Sequence, residues 1–261
     1  MAQVHSSAVI EPGAQLGKGC IIGPFCVVGP QVVLGDRVEL KSHVVVTGDT
    51  VIGADTVIFS FSVIGEIPQD LKFKGEDSRL AIGARNRIRE HVTMNAGTDG
   101  GGGLTKVGDD GLFMAGCHIA HDAQIGDRVI VVNSAAIAGH CVLEDDVIIG
   151  GLSGIHQFVR VGRGAIIGAV TMVTNDVIPY GLVQAPRGGL DGLNLVGLKR
   201  RGVARSDITA LRAAFQMLAQ GDGAFQDRAR RLGEETESAY VREIVDFVLG
   251  QSDRSFLTPG G

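Results

Sequence analysis

The sequence predicts an all-β solenoid followed by a small α-helical segment. Through residues 107–177 an aliphatic or large apolar residue recurs at every sixth position: Val107, Phe113, Ile119, Ile125, Val131, Ile137, Leu143, Ile149, Ile155, Val161, Ile167, Val173. A small residue or Val stands four places after each, as at Cys117, Ala123, Ala135, Cys141 and Ala165. Beyond Pro179 this period is lost and helical spacing takes over. A period of six is neither the 3.6 of a helix nor the 2 of a simple strand. It is the period of a hexapeptide β-solenoid. Each hexad then supplies one short strand and one corner. The aliphatic and the small residue face a narrow core, and Gly, Asn and Asp are expected at the corners because they tolerate positive φ.

The repeat starts at the N-terminus. Val4, Ile10, Leu16, Ile22, Val28, Leu34, Leu40, Val46, Ile52, Ile58 and Ile64 keep phase without a slip. Three hexads make one triangular coil of 18 residues, and coils stack at about 4.8 Å. The pattern stops over residues 66–80 and resumes in phase at Ile82, so a loop is expected there. A second break, residues 95–106, holds four consecutive glycines, Gly100 to Gly103. It shifts the phase by one, because Val107 lies 13 residues after Met94, and it reads as a mobile loop. The expected division is a β-helix over 1–180 and an irregular linker with a helical domain over 181–261. Residues 181–202 look irregular and carry the basic cluster Lys199-Arg200-Arg201. Ser206 reads as the N-cap of a helix with Ile208, Leu211, Phe215 and Leu218 on one face. Residues 224–232 suggest a second helix. Tyr240, Val241, Ile244, Val245 and Val248 suggest a third, and the tail from Ser255 is expected to fray.

Composition agrees with a narrow aliphatic core: 44% of the 261 residues are hydrophobic, yet only 5% are aromatic and Trp is absent. A net charge of −5 argues against a nucleic-acid binder. Cys20, Cys26, Cys117 and Cys141 all fall on the small inward position and lack metal-type spacing, so they read as core packing. No basic segment followed by an apolar run opens the chain, and no apolar stretch reaches the roughly 18 residues of a membrane span. A cytoplasmic protein that is not integral to a membrane is expected, with no cofactor.

Most histidines lie within the regular repeat. Eighteen residues separate His121 from Gly139, and Gly139 from Gln157, so these three should stack along one edge. His118, His140 and His156 flank that column. Three readings are open for the patch. It is a set of solvated corner residues; or a metal site in which His118 and His121 supply two ligands, as zinc requires three or four; or a general base. In the last, His121 removes a hydroxyl proton, Asp122 orients its ring, and the Gly139 N–H stabilises an oxyanion.

At these residues the chain resembles the UDP-N-acetylglucosamine O-acyltransferase family, over nearly its whole length. The matching segments include IGPFCVVGP (22–30), LKSHVVVTG (40–48), IGEIPQDLKF (64–73), GGGLTKVG (101–108), HIAHD (118–122), AGH (138–140), IHQF (155–158) and NLVGLKRRG (194–202). The resemblance implies a left-handed parallel β-helix with a small C-terminal helical domain, a homotrimer with sites between subunits, and a place in lipid A synthesis. It implies transfer of a 3-hydroxyacyl chain from acyl carrier protein to UDP-N-acetylglucosamine. It implies catalytic roles for His121, Asp122 and Gly139. Gln69, Asp70, Lys72, His118, His140, His156, Gln157, Asn194, Arg200 and Arg201 would line the substrate sites, and Arg160 and Arg163 would be available to an acidic carrier. Asn95 and Val196 depart from the family's His and Glu. Ala169 matches the position that limits acyl length and implies a donor shorter than the family's longest. Other readings of the same fold are the pathway's later N-acyltransferase, a 3-amino-sugar acceptor, and a zinc carbonic anhydrase-like trimer.

Overall fold

The structure is a computed structural model, and it describes residues 1–184, 189–220 and 222–258. The hexads do form strands, most only two residues long, arranged in three parallel sheets that are the faces of a triangular prism. The first face begins with Gln3–Val4, the second with Val9–Ile10 and the third with Gln15–Leu16. Each strand pairs with the one a coil later, as Gln3 with Ile21 and Ile119 with Ile137. The sixth-position aliphatics fill the prism: Ile58, Ile88, Ile119, Val131 and Ile137 are wholly buried, and so are the inward Cys20, Cys26, Cys117 and Cys141. Burial pushes the thiols of Cys117 and Cys141 up to about 12, as inert packing residues require.

The corners meet expectation in part: Asp55, Asp110, Asp146, Gly19 and Gly116 stand at positive φ, but many turns hold other residues. The residue in the left-handed region is the second of each corner pair, and it is mostly not glycine: Phe25, Arg37, His43, Phe61, Asp122, His140, Phe158 and even Val170 have φ between 57° and 66°. The glycine after the aliphatic is needed for a different reason. A Cβ on Gly17 would lie 2.5 Å from the Gly35 carbonyl carbon, and one on Gly53 2.5 Å from that of Gly83. Coils stack too closely there for a side chain. The repeat therefore imposes the strained φ on whatever residue occupies the turn, and stacking more than pays for it.

Each edge has its own chemistry. The third-to-first edge is a ladder of ion pairs, with Arg37 on Asp55, Arg85 on Asp109 and Asp110, and Arg128 on Asp145 and Asp146. Asp carboxylates on it also accept backbone N–H groups of the coil before, as Asp127 does from Asp109 at 2.8 Å. The first-to-second edge carries a stack of rings, Phe25, His43, Phe61 and His91, with centroids 4.9–5.2 Å apart. The second-to-third edge carries both insertions. Between Val63–Glu66 and Arg79–Ile82 the chain leaves the wall, and it leaves again between Thr93–Asn95 and Leu104–Val107. Pairing resumes each time in the next coil, so that Ile52 faces Ile82 and Ile82 faces Val107.

The first face ends in an antiparallel pair, Gly181–Gln184 with Gly189–Leu193, where irregular chain was expected; Ala185 to Gly188 lie outside the described residues. Asn194 then caps α1, Leu195–Arg200, by accepting the Gly197 N–H. The next helix, α2, spans Arg205–Gln220, so Ser206 lies inside its first turn rather than capping it. Two more follow, α3 at Phe225–Glu235 and α4 at Ala239–Leu249. Their apolar faces pack together through Leu211, Leu218, Leu232, Ile244 and Val248. Among the described residues no helix is long and apolar enough to cross a membrane.

The helical segment is fastened to the last coil through Asp176, which is wholly buried. Its carboxylate accepts the Arg160 N–H and Nε–H at 2.8 and 2.7 Å and the Ser252 hydroxyl at 2.5 Å. Its backbone bonds Ser255 and Leu257. The tail expected to fray is thus tied down through Leu257, and Pro259 to Gly261 lie outside the described residues. Asp176→Ala should cost about 3–5 kcal/mol by stranding the Arg160 guanidinium. Urea unfolding would read this as a lower midpoint, and limited proteolysis as earlier cleavage after residue 176.

Candidate active site

Coil geometry places His121 and Asp122 at one corner of the second-to-third edge, Gly139 and His140 at the next, and Gln157 and Phe158 at the one after. Backbone bonds confirm the stack: the His140 N–H donates to the His121 carbonyl, and that of Phe158 to the Gly139 carbonyl. The His121 ring lies on Gly139, where an added Cβ would sit 2.5 Å from Cε1 and 2.6 Å from Nε2. Only glycine admits the ring in this position. His121 Nδ1 meets Asp122 Oδ2 at 2.8 Å, and both residues are almost wholly buried. The Gly139 N–H makes no hydrogen bond among the described residues.

The other histidines surround this pair. The His140 ring stands edge-on to His121 at 5.0 Å and stacks on Phe158 at 4.4 Å. His118 bonds the Thr93 hydroxyl through Nδ1 at 2.7 Å. His156 is exposed and meets Arg254 at 2.9 Å, and Gln157 beside it is exposed. Burial holds the pKa of both His118 and His140 below the ordinary imidazole value, with His121 nearby pushing the same way. For His140 the Asp122 carboxylate partly offsets this.

A cavity of about 710 Å³ opens beside the pair, lined by Asp70, Lys72, Glu76, Thr98, His140 and Phe158 among others. Asp70 shapes its loop by accepting the Lys72 N–H at 2.9 Å. Gln69 and Lys72 are exposed on the same loop. Asn95 faces the base of that loop, donating to the carbonyls of Ile67 and Glu66, with its own Oδ1 buried and unpartnered.

Several expected site residues are not brought here. Asn194 is occupied as the α1 cap and donates to the Gly164 carbonyl. Arg201 sits over the Tyr180 ring, Arg200 and Val196 are exposed on α1, and Ala169 is exposed on the first-to-second edge. Arg160 is held by Asp176 and packs on Phe247, and Arg163 pairs with Asp145; the buried carboxylate has claimed the cation expected to meet a carrier. Lys199, Arg205 and Arg212 line a pocket of about 500 Å³ instead and join no ion pair among the described residues.

Thr98 was not foreseen. Its N–H and hydroxyl both bond Asp122. Coil arithmetic corrected for the seven residues inserted between Met94 and Val107 puts Gly97 under Asp122, with Thr98 next to it. His121, Asp122 and His140 offer ligand atoms within 4.8 Å of one another, a set able to hold a metal. Here the Asp122 oxygens already accept bonds from Thr98 and His121.

A prism of hexad coils with a histidine–carboxylate pair on one edge is a hexapeptide-repeat architecture, and its relatives make it a transferase. Residues 13–48 match the family model described as bacterial transferase hexapeptide (six repeats). Residues 176–257 match that of UDP N-acetylglucosamine O-acyltransferase, domain 2. An acyl-[acyl-carrier-protein]--UDP-N-acetylglucosamine O-acyltransferase of Paracoccus denitrificans is 71% identical over 202 residues, 77% of this chain and 76% of that one. A protein of the same name from Rhizobium johnstonii is 48% identical over 99% of this chain and 95% of its own. The solved UDP-N-acetylglucosamine acyltransferase from Campylobacter jejuni superposes with a TM-score of 0.93 at 37% identity, covering 99% of this chain and all of that one. The chain belongs to the UDP-N-acetylglucosamine O-acyltransferase family, and its fold is the left-handed parallel β-helix.

The depressed His118 and His140 carry a sign. Below the ordinary imidazole value of about 6.5 the unfolded chain binds protons that the folded one refuses. Stability from these two is complete above that pH and is lost as pH falls toward their folded values. Melting temperature should drop from pH 7.5 to 5.5, and His118→Gln should flatten the slope. A melting temperature that rises on acidification through this window would contradict the assignment.

Proposed function

We propose that this chain transfers a 3-hydroxyacyl group from acyl carrier protein to the 3-hydroxyl of UDP-N-acetylglucosamine, in the cytoplasm, as a step of lipid A synthesis. The observation that carries the chemistry is the His121–Asp122 pair seated on Gly139, with an unbonded N–H beside it. Asp122 accepts the Nδ1–H of His121 and so leaves Nε2 unprotonated. Nε2 takes the proton of the sugar hydroxyl as its oxygen attacks the thioester carbonyl. The Gly139 N–H bonds the oxyanion of the tetrahedral intermediate. As the intermediate collapses, the carbon–sulfur bond breaks and His121 returns the proton to the departing thiolate.

The cavity suits a sugar nucleotide. Lys72 and Lys74 bring cations for phosphate, and Asp70 with Gln69 brings acceptors for sugar hydroxyls. His118, His140, His156 and Gln157 line the acceptor and donor paths. Asn194, Arg200 and Arg201 stand away from His121 within one chain, so they would serve the nucleotide from a neighbouring copy of the trimer, Arg through its phosphate-matching fork. The cationic pocket of Lys199, Arg205 and Arg212 suits an acidic carrier protein better than the occupied Arg160 does.

A homotrimer resolves the separation of Ala169 from His121. The two edges involved flank the second face, whose outward residues are mostly apolar, Val9, Val27, Val45, Val63 and Met172 among them, with Thr93 and His118 as the polar pair in its middle. Packing such faces about a three-fold axis puts the Ala169 edge of one copy against the His121 edge of the next, and Ala169 then limits the acyl chain.

The relatives do not favour the zinc or 3-amino-sugar alternatives. An assay with UDP-N-acetylglucosamine and a ladder of 3-hydroxyacyl carrier proteins tests the proposal. One chain length should be preferred, and His121→Ala should lower kcat by about 10²–10⁴-fold. Gly139→Ala should be comparably poor, because its methyl displaces the His121 ring. Light scattering should give three times the 27.2 kDa chain mass. Folded trimer that acylates neither this acceptor nor its 3-amino analogue would overturn the reading.

A further inference from the structure

Thr98 stands in the glycine loop, just before the turn Asp99–Gly101. Its N–H donates to Asp122 Oδ1 at 2.8 Å and its hydroxyl to Asp122 Oδ2 at 2.6 Å. Oδ2 also takes the His121 bond at 2.8 Å. Thr98 is 6% exposed and Asp122 3%, so water does not compete. The loop closes on itself through the Thr98 carbonyl, which accepts the N–H groups of Gly101 and Gly103. It wraps the carboxylate so tightly that a Cβ on Gly101 would lie 2.0 Å from Asp122 Cγ, and one on Gly97 2.8 Å from Oδ1. From the coil below, the Thr105 hydroxyl accepts the Asp122 N–H at 2.7 Å.

This matters because two imidazoles face the same oxygen. His140 Nδ1 lies 3.7 Å from Asp122 Oδ2, against 2.8 Å for His121. A small rotation of the carboxylate would exchange partners. Within the Asp122 corner itself the bond to His121 is the only hydrogen bond the carboxylate makes among the described residues. The two-point hold from Thr98 prevents the rotation: both oxygens are pinned, and the plane of the carboxylate is fixed from outside its own coil.

We propose that Thr98 is a positioning residue that locks the Asp122 carboxylate onto His121 Nδ1 and away from His140. This rests on the reading of His121 as the base. Loss of the hydroxyl alone leaves Asp122 with one Thr98 anchor and frees Oδ2 to turn.

The test uses the full-length protein and four variants: Thr98→Val, Thr98→Ser, Asp122→Asn and the double variant Thr98→Val with Asp122→Asn. Val keeps the branch and the backbone N–H and removes only the hydroxyl. In Thr98→Val kcat should fall roughly 10- to 100-fold, the range a charge-assisted hydrogen bond supplies, with KM for the sugar nucleotide within about twofold. Thr98→Ser should recover kcat to within about threefold of the parent. The double variant should be no slower than Asp122→Asn alone, because both changes break one unit. Imidazole ¹⁵N spectra supply a readout that needs no turnover: His121 should be a single Nδ1–H tautomer in the parent and in Thr98→Ser, and a mixture in Thr98→Val. Were the parent to show no acyl transfer while these spectra changed as stated, the lock would stand and the reaction assignment would fall. Unchanged spectra and kcat within about twofold in Thr98→Val would overturn the proposal. So would a rise in KM alone, or a penalty additive with Asp122→Asn, since Thr98 would then act on substrate. Thr98→Ala serves as the same arm should Thr98→Val not fold.

Discussion

The whole prism hangs on one hydrogen-bond rule: the backbone groups of each coil bond those of the coils on either side, N–H groups in the strands reaching forward and those at the corners reaching back. The Gln3 N–H reaches the Cys20 carbonyl, the Gly17 N–H that of Leu34, and the Ile130 N–H that of Val147. Because strands are two residues long, no single one is stable alone. Stability is a property of the stack, in which each coil satisfies its neighbour and buries one more layer of aliphatic side chains. The same rule turns distance along the chain into contact in space. His121 lies on Gly139 for no other reason than that they are one coil apart.

That regularity explains what could be read from the sequence. The period of six located the wall strands of the coils through Met172–Val173 and the inward cysteines, and the 18-residue spacing aligned His121, Gly139 and Gln157. It also misled in one respect. Gly, Asn and Asp were expected where φ turns positive, and Asp55, Asp110, Gly19 and Gly116 do stand there, yet the prism also puts Phe25, His43 and Val170 there and needs other glycines where coils nearly touch. Periodicity says which positions are equivalent; it does not say which physical demand each one meets.

The elements outside the repeat were harder to read. The hairpin that ends the first face carries no alternation strong enough to announce it. The C-terminal tail is short, yet it bridges to Asp176 through Phe256 and packs Phe256 and Leu257 on the core. Arg160 looked like a surface cation until a buried carboxylate sixteen residues on required it. Thr98 escaped notice because it sits in an insertion, where the coil count is broken by one. In each case the missing knowledge was a long-range partner, which a local pattern cannot supply.

The two insertions at the second-to-third edge have a consequence for how such a protein can be rebuilt. Twelve and seven residues are spliced in, yet the third face passes through both without losing register, Ile52 to Ile82 to Val107. The wall behaves like a rack, and that edge like a row of sockets. Segments of different length can be exchanged there while the rack is unaware of the change. Recognition and scaffold are thereby uncoupled: what the protein grips can be rewritten at one edge, in whole cassettes, without renegotiating how it stands up.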